Sequence, residues 1–241
     1  MLKKTAVVFS GGGLFGAWQA GVWDVLQNRV EPDLIVGASV GALNGYAIAC
    51  GATGERLASM WRDPELGDFG SLEKNIETMM GQFRPKIPFA LTVTDLLRMR
   101  PVIFQDSEIT PRHMAASCAI PIVFKQHWIG GRLCSDGGLL NPLPLWAAVE
   151  LGATHIVAVH ALPEIPGSWI KPMVRVFRWF AGYRPPLPSG VQVDVILPTR
   201  HPMGSLTDAV RYRPENIERW IAEGRADADA KNISILDCPK G

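Results

Sequence analysis

A serine between two glycines follows a short apolar run in the first fifth of the chain. The pentapeptide Gly37-Ala38-Ser39-Val40-Gly41 matches the pattern Gly-x-Ser-x-Gly. Glycine is needed at both outer positions because a sharp turn from strand to helix crowds the backbone and pushes the serine hydroxyl over the sheet edge. Ser39 is therefore a candidate nucleophile for attack on a substrate carbonyl.

A glycine-rich stretch lies one strand-helix-strand unit before this serine. Gly11, Gly12 and Gly13 follow an apolar run, and Gly11, Gly13 and Gly16 complete the pattern Gly-x-Gly-x-x-Gly. A separation of about 30 residues suits one βαβ unit, which brings the glycine loop and Ser39 to the same carboxyl edge of a parallel sheet. Acyl transfer needs N–H donors for the developing oxyanion, each worth about 3 kcal/mol, and the three consecutive glycines are predicted to supply them.

The glycine pattern is also typical of dinucleotide-binding folds, which leaves a second hypothesis open. Such a fold places an acidic residue at the far end of the second strand, where it binds a ribose. Glu31 and Asp33 instead lie at the beginning of that predicted strand. A nucleotide-binding or regulatory module that uses the glycine loop for phosphate remains the alternative from another class.

A carboxylate at the end of a later predicted strand is the candidate base for the serine. Asp136 is followed directly by Gly137 and Gly138. An ordinary aspartate, with a pKa of about 3.9, is a poor base toward a hydroxyl, but burial in an apolar cleft would raise its pKa. The commoner arrangement is a Ser-His-Asp triad, for which His160 is the best-placed histidine.

Apolar runs and helical periodicity alternate along the chain, which predicts an α/β fold with parallel strands. The predicted strands cover residues 5–9, 33–36, 89–93, 102–104, 122–128, 132–135, 155–159 and 191–197. The predicted helices cover residues 17–28, 40–50, 54–61, 71–82, 111–117, 145–151 and 214–232.

Together, the glycine loop, the serine pentapeptide and the Asp-Gly-Gly sequence resemble the patatin-like phospholipase family. Residues 116–121 and 137–141 resemble the family's connecting segments, so the resemblance covers most of residues 5–160. The chain departs from the family at Phe15, where Arg or Lys is usual, and at Ile122, where Gly is usual.

The resemblance implies a three-layer fold with a mixed, mainly parallel central sheet flanked by helices. It also implies a Ser39–Asp136 catalytic dyad without metal or organic cofactor. The implied activity is hydrolysis of carboxylic esters in lipids such as phospholipids or lysophospholipids. The binding partner that the resemblance implies is therefore a lipid or other ester substrate.

Composition favours a globular protein of one domain over the 241 residues. The 24 basic and 23 acidic side chains nearly cancel, which argues against nucleic acid as a partner. The four cysteines lack metal-ligand spacing, and no apolar run reaches the roughly 20 residues of a membrane span. These features favour a cytoplasmic location; they leave the oligomeric state open.

A proline-rich stretch interrupts the core pattern late in the chain. Residues 163–190 are predicted to form a lid or insertion, and residues 169–182 within them place basic side chains on one helical stripe beside aromatic ones. An interfacial helix has this composition, so peripheral membrane contact through 169–182 is one hypothesis. An ordinary amphipathic helix with its basic face in water is the other.

Overall fold

The computed structural model describes residues 3–67, 69–121, 123–164, 188–231 and 233. Within these residues a single sheet contains eight strands. The strands are β1 (Thr5–Phe9), β2 (Leu34–Ala38), β3 (Phe89–Asp95), β4 (Arg100–Gln105), β5 (His127–Ile129), β6 (Arg132–Ser135), β7 (His155–Val159) and β8 (Gln192–Ile196).

The sheet has the order β5-β6-β3-β2-β1-β7-β8, and β4 pairs with the other edge of β3. The strands β3, β2, β1, β7 and β8 run parallel, whereas β4, β5 and β6 are antiparallel to their neighbours. This arrangement confirms the mixed, mainly parallel sheet that the family resemblance implies.

Helices cover both faces of this sheet. They are α1 (Gly16–Leu26), α2 (Val40–Ala49), α3 (Gly54–Arg62), α4 (Leu72–Gln82), α5 (Pro111–Ser117), α6 (Leu145–Glu150), α7 (Leu206–Val210) and α8 (Pro214–Lys231). Short 3₁₀ helices span Gly13–Phe15, Pro64–Gly67, Phe69–Ser71 and Asp106–Glu108.

The side chains of β1 explain why the strands read as continuous apolar runs. Val7 and Phe9 point into the larger core, which also contains buried residues of α1, α2, α3 and α8. Ala6 and Val8 point into a second core formed with α6. Because both faces of the strand are buried, its sequence shows no alternation between polar and apolar residues. The result is the three-layer architecture.

The position of β6 decides where the residue after it lies. Both β4 and β6 pair with β3 at Thr94 and Asp95, so they occupy opposite edges of that strand. The β6 strand therefore lies along the same edge of β3 as β2. The β2 strand pairs with β3 up to Thr92, opposite Ala38, and β6 takes over at Thr94. The two strands run antiparallel and meet nearly end to end. Their carboxyl ends consequently face each other.

One strand prediction was wrong. The apolar run at residues 122–128 was expected to be extended, but β5 begins only at His127. The N–H groups of Val123 and Phe124 instead donate to the carbonyl of Ile120, which makes a turn. The Gln126 side chain closes this turn by donating to the carbonyl oxygens of Ala119 and Phe124. Ile122 itself lies outside the described residues.

The segment predicted to form a lid or insertion, residues 163–190, is only partly described. Residues 165–187, which include the whole of 169–182 and most of the expected lid, lie outside the described part of the chain. The organisation as one domain with a lid at 163–190 stays a prediction. Among the residues that are described, no helix has both the length and the apolar character required to cross a bilayer.

Candidate active site

Ser39 lies in a strained turn between β2 and α2. Its φ of 54° and ψ of −129° are unusual for a residue with a side chain. A Cβ on Gly37 would lie 2.3 Å from the carbonyl oxygen of Gly41, and a Cβ on Gly41 would lie 2.5 Å from that of Phe9. Neither position accepts a larger residue, because both clashes are with backbone atoms. The two glycines therefore make this sharp turn sterically possible.

The Ser39 hydroxyl donates a hydrogen bond to the Asp136 carboxylate, with 2.6 Å between Oγ and Oδ2. Only 6% of Ser39 and 7% of Asp136 is exposed. Burial raises the pKa of Asp136 to about 6, although the hydrogen bonds from the Ser39 hydroxyl and the Gly138 N–H oppose this rise. The carboxylate is thus more basic than one in water, and it is already aimed at the serine oxygen.

The backbone of Asp136 is held by the loop after α5. Its N–H donates to the carbonyl of Ala119 at 3.0 Å, and its own carbonyl accepts the Thr94 hydroxyl at 2.8 Å. The N–H of Gly137 donates to the carbonyl of Ser117 at 3.0 Å. These bonds tie the residue after β6 to β3 and to the loop at the same time. The carboxylate can therefore keep one position despite its buried charge.

Ser117 is a positioning residue to which the sequence analysis assigned no role. Its fully buried hydroxyl accepts the N–H of Ser39 at 3.0 Å and donates to the carbonyl of Thr92 at 2.8 Å. A Cβ on Gly137 would lie 2.1 Å from that same carbonyl, so both Ser117 and the backbone of Gly137 pack closely against β3 at Thr92. The sequence does contain a sign of this contact, because Ser117 is a polar residue in an otherwise apolar stretch. A serine buried with such a stretch requires a hydrogen-bond partner for its hydroxyl.

The glycine loop lies directly beside Ser39, and a Cβ on Gly11 would be 3.3 Å from the Ser39 Cβ. The N–H of Gly11 donates to the carbonyl of Pro142 at 2.9 Å and is therefore engaged. For the N–H groups of Gly12 and Gly13, the described part of the chain provides no hydrogen-bond partner. The Gly11 N–H is thus occupied by a backbone acceptor, and the absence of a side chain at Gly11 allows the close approach to Ser39.

A buried polar network holds the carbonyl groups of this loop. The Gln19 side chain donates to the carbonyl of Ser10 at 2.7 Å. The Asn44 amide donates to the Gln19 Oε1 and to the carbonyl of Gly16, both at 2.9 Å, and its own oxygen accepts the Trp61 indole at 3.0 Å. Since the side-chain amides of Gln19 and Asn44 both have hydrogen-bond partners for their N–H and C=O groups, the network fixes the loop.

Phe15 anchors the loop by packing instead of by charge. The side chain is fully buried, and its ring meets that of Trp220 edge to face with 4.9 Å between centroids. An arginine or lysine here would place an unpaired cation in the apolar contact between α1 and α8, which is costly. Phe15, at the position where Arg or Lys is usual in the family, thus contacts a tryptophan about 200 residues later in the chain.

Gly16 is required for helix packing. A Cβ at this position would lie 2.5 Å from the Trp61 ring and 2.5 Å from the Val40 side chain. The glycine lets α1, α2 and α3 approach one another at the start of α1. The last glycine of the Gly-x-Gly-x-x-Gly pattern thus has a structural reason without any phosphate.

The two residues considered for the alternative functions lie at opposite edges of the sheet, Asp33 at the amino edge and His160 at the carboxyl edge that also carries Ser39. Asp33 accepts the N–H of Thr5 at 2.8 Å, which places its carboxylate at the amino edge of the sheet, away from the glycine loop. His160 follows β7, and its N–H donates to the carbonyl of Ile196. The Ser39 hydroxyl bonds directly to Asp136, where a triad would interpose a histidine.

A cavity of about 390 Å³ runs along α2 between α3 and α4. Most of its lining is apolar, including Leu43, Ala47, Leu57, Ile76 and Met79. Leu43, one helical turn after Ser39, is the lining residue nearest to the serine along the chain, and Ser39 itself does not line the cavity. Among the described residues, no group of three His, Cys, Asp or Glu side chains converges as a metal site would require.

The raised pKa of Asp136 predicts that the free energy of unfolding depends on pH. An acid whose pKa rises from about 3.9 in the unfolded chain to about 6 in the fold loses stability as pH rises through this interval. The Asp136→Asn variant lacks this loss and keeps the same shape. Its free energy of unfolding relative to wild type should therefore increase by about 2 kcal/mol from pH 4.5 to pH 7.5.

Urea unfolding at both pH values measures this difference. The matched control is Glu150→Gln, which changes an exposed carboxylate on α6. A stability difference for Asp136→Asn that is the same at pH 4.5 and pH 7.5 would contradict the expected electrostatic cost.

Comparison with known proteins shows which family this chain is similar to. The patatin-like phospholipase family model matches residues 7–100 and 81–149. Uncharacterized NTE family proteins of Mycobacterium bovis and of two strains of Mycobacterium tuberculosis are 30% identical over 202 residues. That alignment covers 71% of this chain and 56% of each relative, so the chain spans about half the length of the curated relatives it matches.

A solved structure supports the fold independently of sequence. The crystal structure of VipD from Legionella pneumophila superimposes with a TM-score of 0.57 at 13% identity, covering 95% of this chain and 66% of that one. Because identity is so low, the likeness concerns the fold alone. With the family model matching more than half of the residues, the chain belongs to the patatin-like phospholipase family.

Proposed function

We propose that this chain hydrolyses carboxylic esters of lipids with Ser39 as nucleophile and Asp136 as base. The observation that carries the proposal is the 2.6 Å hydrogen bond between the two buried side chains. Ser39 Oγ attacks the acyl carbonyl while its proton passes to Asp136, and Asp136 returns that proton to the leaving alcohol. A water then gives a proton to Asp136 and attacks the acyl carbonyl of the acyl-enzyme. The bond to Ser39 Oγ breaks, Asp136 returns the proton to Oγ, and the carboxylic acid leaves.

The surroundings of the dyad suit both halves of this reaction. The pKa of about 6 leaves Asp136 ionised at neutral pH and makes it a stronger base than a solvated aspartate. The N–H groups of Gly12 and Gly13 are the proposed oxyanion donors, since their loop adjoins Ser39 and its carbonyl groups are held by the buried network. Donors fixed before the reaction lower the barrier without reorganisation.

The proposed substrate class is a lipid with an apolar acyl chain, such as a phospholipid or lysophospholipid. Family membership supports this class, and so does the apolar cavity, whose lining includes Leu43 one turn after Ser39. An acyl chain in this cavity would contact Leu43 and Ala47 on α2 and Ile76 on α4. The fit is chemical, because mainly apolar walls favour a hydrocarbon chain over a polar one.

The nucleophile is tested by covalent labelling. A fluorophosphonate probe should label the wild-type protein but not Ser39→Ala, and the same variant should lose hydrolysis of short- and long-chain p-nitrophenyl esters. Ser189→Ala, which alters an exposed serine, serves as the matched control and should behave as wild type. Labelling of Ser39→Ala at the wild-type rate would assign the nucleophile to another residue.

The base is tested by the pH dependence of the reaction. Because Asp136 must be ionised to accept a proton, kcat/KM for an uncharged ester should fall tenfold per pH unit below about 6. This acidic limb should persist in His160→Ala, since a histidine base would titrate in a similar range. If His160→Ala abolished hydrolysis while Asp136→Asn retained it, a triad would replace the dyad.

The positioning role of Ser117 is tested by removing its hydroxyl. Ser117→Ala deprives the Ser39 N–H of its acceptor, so we expect kcat to fall about tenfold to a hundredfold, at 1.4 kcal/mol per factor of ten, with little change in KM. Ser135→Ala is the matched control, because its buried hydroxyl bonds the Ala119 carbonyl instead of Ser39. Equal losses of kcat in both variants would show that Ser117 matters only for folding.

A further inference from the structure

Two hairpins extend past the carboxyl ends of the parallel strands, on the edge that carries Ser39. The β2 strand pairs with β3 only as far as Thr92, whereas β3 continues to Asp95 between β4 and β6. The turn at 96–99 and the turn at 130–131 therefore project beyond the level of the serine. We call residues 96–100 and 128–133 together the hairpin surface.

The hairpin surface exposes apolar side chains. Leu97 is 61% exposed and Trp128 is 52% exposed. Trp128 pairs with Leu133 across the β5–β6 hairpin, and the carbonyl of Leu133 accepts the N–H of Leu96 at 2.9 Å. Three neighbouring strands thus contribute Trp128, Leu133 and Leu96 to adjacent positions. A tryptophan exposed beside leucines costs solvation free energy, which a contact with a partner would recover.

Arginines surround these apolar residues. Arg98 lies 2.9 Å and Arg132 3.9 Å from the carboxylate of the buried Asp95, and Arg100 pairs with Asp95 across the β3–β4 hairpin. Two guanidinium groups thus share one carboxylate, and Arg100 adds a third, exposed cation beside them, while the whole chain has a formal net charge of only +1. The exposed tips therefore carry a local excess of positive charge, which favours an anionic partner.

We propose that the hairpin surface docks on an anionic lipid bilayer, an inference that rests on the proposed function in lipid hydrolysis. Trp128 and Leu97 enter the headgroup region, and the arginines contact lipid phosphates. Docking by these tips turns the carboxyl edge of the sheet, and with it Ser39, toward the membrane. Apolar side chains and cations at the same tips match the interfacial region of a bilayer, where an apolar layer lies next to phosphates.

Vesicle binding by the full chain tests this proposal. Wild-type protein should co-sediment with vesicles of phosphatidylcholine and phosphatidylserine at low salt, and much less with phosphatidylcholine alone. The double variant Arg98→Gln with Arg100→Gln should bind about thirtyfold more weakly, from about 1 kcal/mol for each lost cation. The double variant Leu97→Ser with Trp128→Ser should also lose binding, by at least tenfold.

Matched controls change the same residue types elsewhere. Leu197→Ser alters another exposed apolar side chain, and Arg200→Gln with Arg211→Gln removes two exposed cations. Both should bind vesicles like wild type. The hairpin variants should hydrolyse a soluble short-chain ester at the wild-type rate and lose activity only on vesicles.

Three results would overturn the docking proposal. One is the failure of wild type to bind anionic vesicles, and another is an equal loss of binding in the controls. The third is a wild-type dimer in sedimentation velocity that the hairpin variants convert to monomers, since the surface would then be a subunit interface. If wild type bound vesicles but cleaved no ester, the proposed function would fail while docking would stand.

Discussion

The buried hydrogen bond between Ser39 and Asp136 is the interaction on which the rest of the structure depends. A carboxylate this deep in the fold, to which no cation of the described residues is bonded, is costly, and its raised pKa expresses that cost. The protein offsets part of the cost with the N–H of Gly138, which bonds the second carboxylate oxygen at 2.7 Å. The same desolvation that costs stability would make Asp136 a competent base in the proposed reaction.

The surrounding structure keeps this pair from relaxing. Ser39 cannot leave its strained conformation easily, because its N–H is bonded to Ser117 and two glycines pack against backbone on either side. Asp136 cannot turn away, because its peptide groups are bonded to Thr94 and Ala119. Strain and buried charge persist only where the surroundings over-determine the geometry. Here β3 and the loop after α5 provide that support.

The positions of the hairpin surface and of the apolar cavity both follow from the sheet topology. Antiparallel hairpins continue the sheet beyond the ends of the parallel strands, so one edge carries the dyad and also the exposed tips at Leu97 and Trp128. The apolar cavity runs from Leu43 along α2. A lipid held at the tips would lie at the edge where Ser39 is found, whereas an acyl chain in the cavity would extend from Leu43 along α2 toward the opposite edge of the sheet.

The sequence by itself determined the local turns and the fold class, because glycine spacing and apolar runs report backbone crowding and burial directly. Ser39 and the family followed from such patterns. Tertiary structure decided that the Gly11 N–H bonds the carbonyl of Pro142, whereas those of Gly12 and Gly13 have no acceptor among the described residues, and it buried Phe15 against Trp220. It also brought β6 end to end with β2. These choices depend on contacts between residues about 100 to 200 positions apart, which no local pattern contains.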